Sequence, residues 1–195
     1  MTAILPEAVA RRFDWAALDA DHASIVVLDA TGTIVWANRA WFRFFEENAE
    51  GHDPASVQVG ASYPEAIEGS LGEYYAQVFD GCRRSGQPFE QDYECSSPTE
   101  QRLYRLRVLP VEGVVIVSHH LRVVSPHVAA GERTDLARYV RADGILVQCS
   151  NCRRVRTTAE GTWEWVPEVV ASPPRRVSHG LCHLCDGFYF GLLPD

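Results

Sequence analysis

The chain contains no lysine: all 18 of its basic residues are arginine. Without a lysine amine, Schiff-base chemistry and P-loop phosphate binding are both excluded. No apolar run approaches the roughly 18 residues that a membrane-spanning helix requires. Residues 1–20 carry Glu7, Asp14 and Asp19 and lack a basic start followed by an apolar stretch, so they do not read as an export signal. The expected location is therefore the cytoplasm, a reducing compartment. There, metal ligation or redox chemistry outranks structural disulfides for cysteine. A formal charge of −8 disfavours nucleic acid and anionic membrane as partners.

What is present suits an ordinary domain followed by a small one, over 195 residues. Four of the six cysteines come as two CxxC pairs, Cys149–Cys152 and Cys182–Cys185, with 29 residues between the pairs. A CxxC turn places two sulfurs on one side of a tight loop. Two such loops facing each other supply four thiolates in a tetrahedron, the arrangement of a closed structural zinc site. A module of about fifty residues rarely folds unaided, so metal would supply much of its folding energy. Iron, as a rubredoxin-like centre or a cluster, is the alternative. Against it, Arg153 and Asp186 stand where rubredoxin pairs usually have glycine. A thiol–disulfide switch is a third possibility. Neither pair is followed by histidine, which excludes c-type haem attachment. His179, before the second pair, and His183, inside it, could each replace a cysteine as ligand, but with four cysteines present they read as surface or supporting residues.

The remaining sequence reads as an α+β domain. Pro6–Asp19 carries a helical apolar pattern. Ser24–Asp29 and Thr33–Ala37 form a strand pair around Gly32, and Asn38 is placed to cap a helix over Arg39–Asn48. Residues 50–62 read as a loop. Leu71–Ser85 is a helix ended by Gly86. Three strands follow, at Phe89–Cys95, Leu103–Leu109 and Val114–His119, and their short connections imply antiparallel pairing. Ser125–Gly131 reads as a linker, and Glu132–Ala142 as a short helix with Leu136, Tyr139 and Val140 on its apolar face.

The residues VVLDATGTIVWANRAW (26–41), SPTEQRLYRLRV (97–108) and VVIVSHH (114–120), with this order of elements, resemble a PAS domain. The resemblance implies a five-stranded antiparallel sheet with helices over one face. It also implies sensing of a small ligand, redox state or light, and frequent dimerisation. The flavin-adduct cysteine motif is missing, and the usual output junction is replaced by His120-Leu121-Arg122-Val123. The tail, with SHGLCHLC (178–185) after a CxxC, an Arg-rich stretch and Gly161-Thr-Trp163, resembles a zinc-ribbon-like module found after PAS or receiver domains in bacterial signalling proteins. That second resemblance implies a shared fold and carries no function.

The expected organisation is a helix at 1–21, a PAS domain at 22–124, a linker and short helix at 125–143, and a four-cysteine zinc module at 144–195. Cys149, Cys152, Cys182 and Cys185 are the expected metal ligands, for Zn²⁺ or alternatively Fe. A PAS-pocket ligand is possible, of unknown identity. Cys82 and Cys95 read as packed thiols. Of His119 and His120, strand alternation lets at most one face a pocket, where it could ligate haem. Ser118 and His119 are splayed by the same alternation, the wrong geometry for a dyad. The aromatic set Trp36, Trp41, Phe42, Phe44, Phe45, Tyr74, Tyr75 and Phe79 reads as core. With no catalytic constellation, the expected role is non-catalytic: a sensor or adaptor with a signalling protein or a second copy as partner. The alternative is a redox or metal sensor that switches at the four cysteines. Nucleic-acid binding through Arg153, Arg154, Arg156, Arg175 and Arg176 is the weakest reading.

Overall fold

The computed structural model describes residues 5–48, 53–67, 70–97, 100–126, 135–171 and 174–190. The expected linker lies outside them from residue 127 onward, as does the start of the expected helix at Glu132. The chain divides into two compact units. One comprises residues 1–93 and 104–122, the other residues 94–103 and 123–195.

Five strands, β1 (Ser24–Leu28), β2 (Ile34–Ala37), β3 (Phe89–Glu94), β4 (Glu100–Val111) and β5 (Val114–Pro126), form one sheet in the order β2-β1-β5-β4-β3. This is a PAS-like antiparallel sheet. Val26 stands opposite Ala37 of β2 and Val117 of β5, and Ser24 opposite His119. All five residues of β1 are buried. Its SIVVL run therefore lacks the apolar–polar alternation of a strand with one wet face. On one face Ile25 and Val27 join Val114 and Ile116, and Val9, Phe13, Trp15 and Leu18 pack on them. Those four come from the N-terminal segment, which covers this face as α1 (Glu7–Ala10) and α2 (Trp15–Ala20). One continuous helix was expected there. Instead Asp14 takes an extended backbone and caps α2 through Ala16 N and Ala17 N, each at 3.1 Å, so the chain breaks at the capping aspartate.

On the other face lie α3 (Arg39–Asn48) and α4 (Ser70–Ser85). Fully buried Asn38 sets the entry to α3. Its Oδ1 accepts from Trp41 N, capping the helix, and from Ile25 N of β1, both at 3.0 Å. Its Nδ2 donates to Ala23 O at 2.8 Å and Leu18 O at 3.1 Å. One amide thus pins a helix, a strand and α2 together. The β4–β5 hairpin turns at Glu112 (φ 46°) and Gly113 (φ 84°), the positive pair that suits a twisted hairpin. The start of α4 lies against the preceding turn so closely that a Cβ on Gly72 would stand 2.6 Å from Pro64 O.

The second unit carries a four-stranded sheet built from β6 (Leu146–Cys149), β7 (Val155–Arg156), β8 (Trp163–Glu164) and β9 (Val177–Gly180), in the order β8-β7-β6-β9. β6 and β7 are antiparallel, as are β7 and β8. β9 returns parallel to β6 after the crossover helix α5 (Pro167–Ala171). The chain then enters α6 (His183–Tyr189). Tyr139, Leu146, Val155, Val166 and Val169 form its buried cluster. Tyr139 donates to Glu164 Oε2 at 2.6 Å, fastening the segment before β6 to β8. In place of a helix through Ala142, the described part of that segment has one 3-10 turn, Leu136–Arg138, capped by Asp135. Leu136 and Val140 are exposed, so of the expected apolar face only Tyr139 is buried.

Candidate metal centre

Two elements of different kinds deliver the four cysteines. Cys149 ends β6, and the chain reverses over Ser150–Arg153 so that Cys149 N donates to Arg154 O at 2.8 Å and Arg153 N to Cys149 O at 3.1 Å. The reversal needs a left-handed residue, which glycine supplies most readily. Here Arg153 takes it, at φ 61°. Ser150 binds Gly180 O through both its N–H (2.8 Å) and its hydroxyl (3.1 Å), which ties this turn to the end of β9. Two residues on, Cys182 is the N-cap of α6 and Cys185 lies in its first turn. Two facing loops were expected. The second pair sits instead on a helix start, where the N-cap and the third helical residue share one side.

All four sulfurs lie within 4.8 Å of one another, and the Cys152 and Cys182 Sγ atoms are 3.7 Å apart. A zinc–sulfur bond of about 2.3 Å gives a tetrahedral edge of about 3.8 Å. Three of the four sulfurs also accept an N–H. Cys149 accepts from Cys182 N at 3.4 Å. Cys182 accepts from Cys185 N at 3.4 Å, and Cys185 from Asn151 Nδ2 at 3.3 Å. Asn151 is held in turn by the buried Tyr189, whose hydroxyl donates to Asn151 Oδ1 at 2.9 Å. Mutual hydrogen bonding among the sulfurs holds Cys149 well below the ordinary thiol range and pushes Cys152 and Cys185 above it. Buried sulfurs surrounded by N–H donors suit thiolates, and four thiolates suit a soft, tetrahedral ion. His179 and His183 are exposed and lie outside the cluster.

The expected histidine pair separates across β5. His119 faces α3, stacked on Trp41 and Tyr63, with Tyr63 Oη 3.1 Å from Nε2 and Tyr93 Oη 2.8 Å from Nδ1. Both ring nitrogens are engaged, so neither is free for haem iron. Burial, and secondarily the charge of His120, hold its pKa down to about 4. His120 points to the opposite face, where its Nε2 lies 3.0 Å from Ser118 Oγ. Sequence reasoning weighed Ser118 with His119 and missed this i, i+2 pair, which strand alternation places on one face. It lines a groove of about 300 Å³ with Phe13, Leu18, Ile116 and Arg107. β5 is an interior strand, lying between β1 and β4. Burial pushes the Cys82 and Cys95 thiols up, as packed thiols require. Trp41, Tyr63, Phe79 and Tyr75 form a continuous run of ring contacts, and Phe44 meets Tyr104. Of the aromatic set expected in the core, Tyr74, Tyr75 and Phe79 are buried, while Trp36, Trp41, Phe42, Phe44 and Phe45 are half-buried.

No protein-family model matches the chain, and no curated protein matches it. Solved structures do. The PAS domain of BvgS from Bordetella pertussis is 17% identical, over 63% of this chain and 88% of that one, with a TM-score of 0.42. The PAS domain of the quorum-sensing receptor RpfR from Cronobacter turicensis, in complex with C12:0, is 23% identical over 53% of this chain and 96% of that one, TM-score 0.41. A domain of an HTR-like protein from Haloarcula marismortui is 16% identical over 53% and 100%, TM-score 0.41. At these values they add nothing about ligand, partner or activity, and the fold class stands on the strand order itself.

Proposed function

We propose that this chain is a non-catalytic signalling protein, a sensor or adaptor. In this reading residues 22–124 form a PAS domain, with 1–21 as its covering helices, that receives a small ligand or a protein partner. Residues 125–143 connect it to a zinc-stapled module, 144–195, which serves protein interaction. Zn²⁺ is held by Cys149, Cys152, Cys182 and Cys185 and closes the site with no position left for substrate. The observation that carries the reading is the convergence of four buried sulfurs within 4.8 Å of one another, three of them accepting an N–H. A cytoplasmic setting and pairing with a signalling protein or a second copy complete it. Elemental analysis with an absorption spectrum, on protein purified without added metal, is the test. One colourless zinc per chain is expected. Iron with thiolate charge-transfer bands moves the sensing role to the tail, and folded, metal-free protein overturns the reading.

The 3.7 Å approach of Cys152 and Cys182 favours a second reading, a redox or metal sensor in which the cysteine centre is the switch. Peroxide would then release the metal and change the oligomeric state. Metal retained through peroxide with no structural change counts against it.

A further inference from the structure

Residues 94–103, the tip of the β3–β4 hairpin, belong to the same compact unit as the cysteine centre. Arg154 is common to both. Its Nη1 donates to Glu94 Oε2 at 3.3 Å, with side-chain exposures of 27% and 19%, and its carbonyl accepts from Cys149 N at 2.8 Å. The other oxygen of Glu94 accepts from Ser96 Oγ at 2.9 Å, and Ser96 Oγ accepts from Arg102 N at 3.3 Å. Cys95 N donates to Arg102 O at 3.0 Å, and Arg102 Nε donates to Cys95 O at 3.0 Å. An unbroken set of polar contacts therefore runs from the cysteine turn into the hairpin tip.

Four thiolates around a divalent ion leave two negative charges in a buried place, and such charge is costly unless paired. Arg154 is a planar cation that can bridge two anions at once, which lysine cannot do. Its own position follows from the Ser150–Arg153 turn, which a bound metal would anchor at both ends. Resting on the metal reading above, we propose that Arg154 is a positioning residue of the cysteine centre. It offsets charge at Cys152 and latches Glu94, so that metal occupancy sets the order of the hairpin tip.

The test uses the full chain, zinc-loaded, with Arg154→Gln, Arg154→Lys and Glu94→Gln. Competition against a chelating dye reads zinc affinity. Amide exchange at Cys95, Ser97 and Arg102 reads the tip. Arg154→Gln should bind zinc about 10- to 100-fold more weakly, the usual effect of losing an outer partner of a metal ligand. Arg154→Lys should recover most of that affinity but not the tip protection. Glu94→Gln leaves the guanidinium charge to the centre, so it should hold zinc at least as tightly as the parent while its tip exchanges faster. Parent protein stripped of zinc should show the same fast tip. Parental zinc affinity in Arg154→Gln overturns the proposal. So does a tip indifferent to chelation, or a Glu94→Gln variant that loses zinc as Arg154→Gln does. If Arg154→Gln fails to fold, the lysine and Glu94 variants decide the matter. A parent that binds no zinc sinks the metal reading itself, which is a separate result from a zinc-binding parent whose variants behave alike.

Discussion

The first unit buries β1 on both faces, with α1 and α2 over one side and α3 and α4 over the other. The second unit has four short strands, two of them only two residues long, around a cluster of five buried residues. The two units hold their shape by different means. Apolar burial is spread over many side chains in the first, so no single contact decides its fate. The second is too small for that, and four sulfurs from β6, its following turn and α6 close it at one point. Loss should therefore be graded in one unit and abrupt in the other.

The sharpest break is to take away the closure. Cys182→Ser, or exhaustive chelation of the parent, should release the metal and unfold residues 146–189. The free energy at stake is on the order of 10 kcal/mol, as for small zinc modules. Hydrogen exchange is the measurement: β6 and β9 should lose protection while β1 and the Val114–His119 part of β5 keep theirs. Protection persisting in β6 after chelation would mean that the small apolar cluster suffices.

The reverse experiment removes Phe79, fully buried and in ring contact with Tyr63 and Tyr75. Phe79→Ala should cost about 3–5 kcal/mol, the range for emptying a large aromatic site. Urea unfolding followed by tryptophan fluorescence should show an earlier transition, with zinc content unchanged. A variant that loses zinc in step with its first transition would show that the two units melt as one.

How much of this was legible beforehand follows the same division. Strong periodic segments were readable: α3 has the predicted bounds Arg39–Asn48, β1 and β2 fall within a residue of expectation, and the four cysteines gather as their spacing implied. What failed depended on partners far away in sequence. Leu136, Tyr139 and Val140 have helical spacing, yet the Tyr139 hydroxyl is held by Glu164, 25 residues on, and Gly144 turns the chain at φ 76°. The parallel return of β9 beside β6, and the helix start under Cys182, are tertiary facts with no local signature. Asn38 was visible as a cap, but its bonds to Ala23 and Leu18 were not. Ser118 with His120 needed only the two-residue period to be found. The Arg154–Glu94 pair spans 60 residues and gave no signal.

Acid should separate the units by chemistry. His119 has its pKa lowered from 6.5 to about 4, chiefly by burial. The unfolded chain therefore binds a proton that the folded chain refuses between those values. Stability from this source is complete above about pH 6.5 and falls as pH drops toward 4, by at most about 1.4 kcal/mol per pH unit. Measured on zinc-stripped protein, so that ligand protonation does not intrude, the first unit should show this slope. His119→Gln should flatten it. An unchanged slope in that variant would assign the acid sensitivity elsewhere.

The smallest expected effect tests the turn that makes the metal centre. Arg153 occupies a left-handed conformation at φ 61° between Cys152 and Arg154. A side chain there costs roughly 1–2 kcal/mol relative to glycine, because Cβ crowds the following carbonyl. Glycine in turn loses more freedom on folding, by roughly 0.5–1 kcal/mol. The difference predicts that Arg153→Gly raises stability by about 0.5–1 kcal/mol, entirely within the second unit. Zinc should then also resist a chelator longer, since the unliganded turn is already nearer its bound shape. Thermal unfolding of the zinc-loaded protein and the rate of zinc loss to a chelator measure both. Destabilisation instead would mean that the Arg153 side chain contributes more than its backbone strain costs, and would place it beside Arg154 among the residues that support the centre.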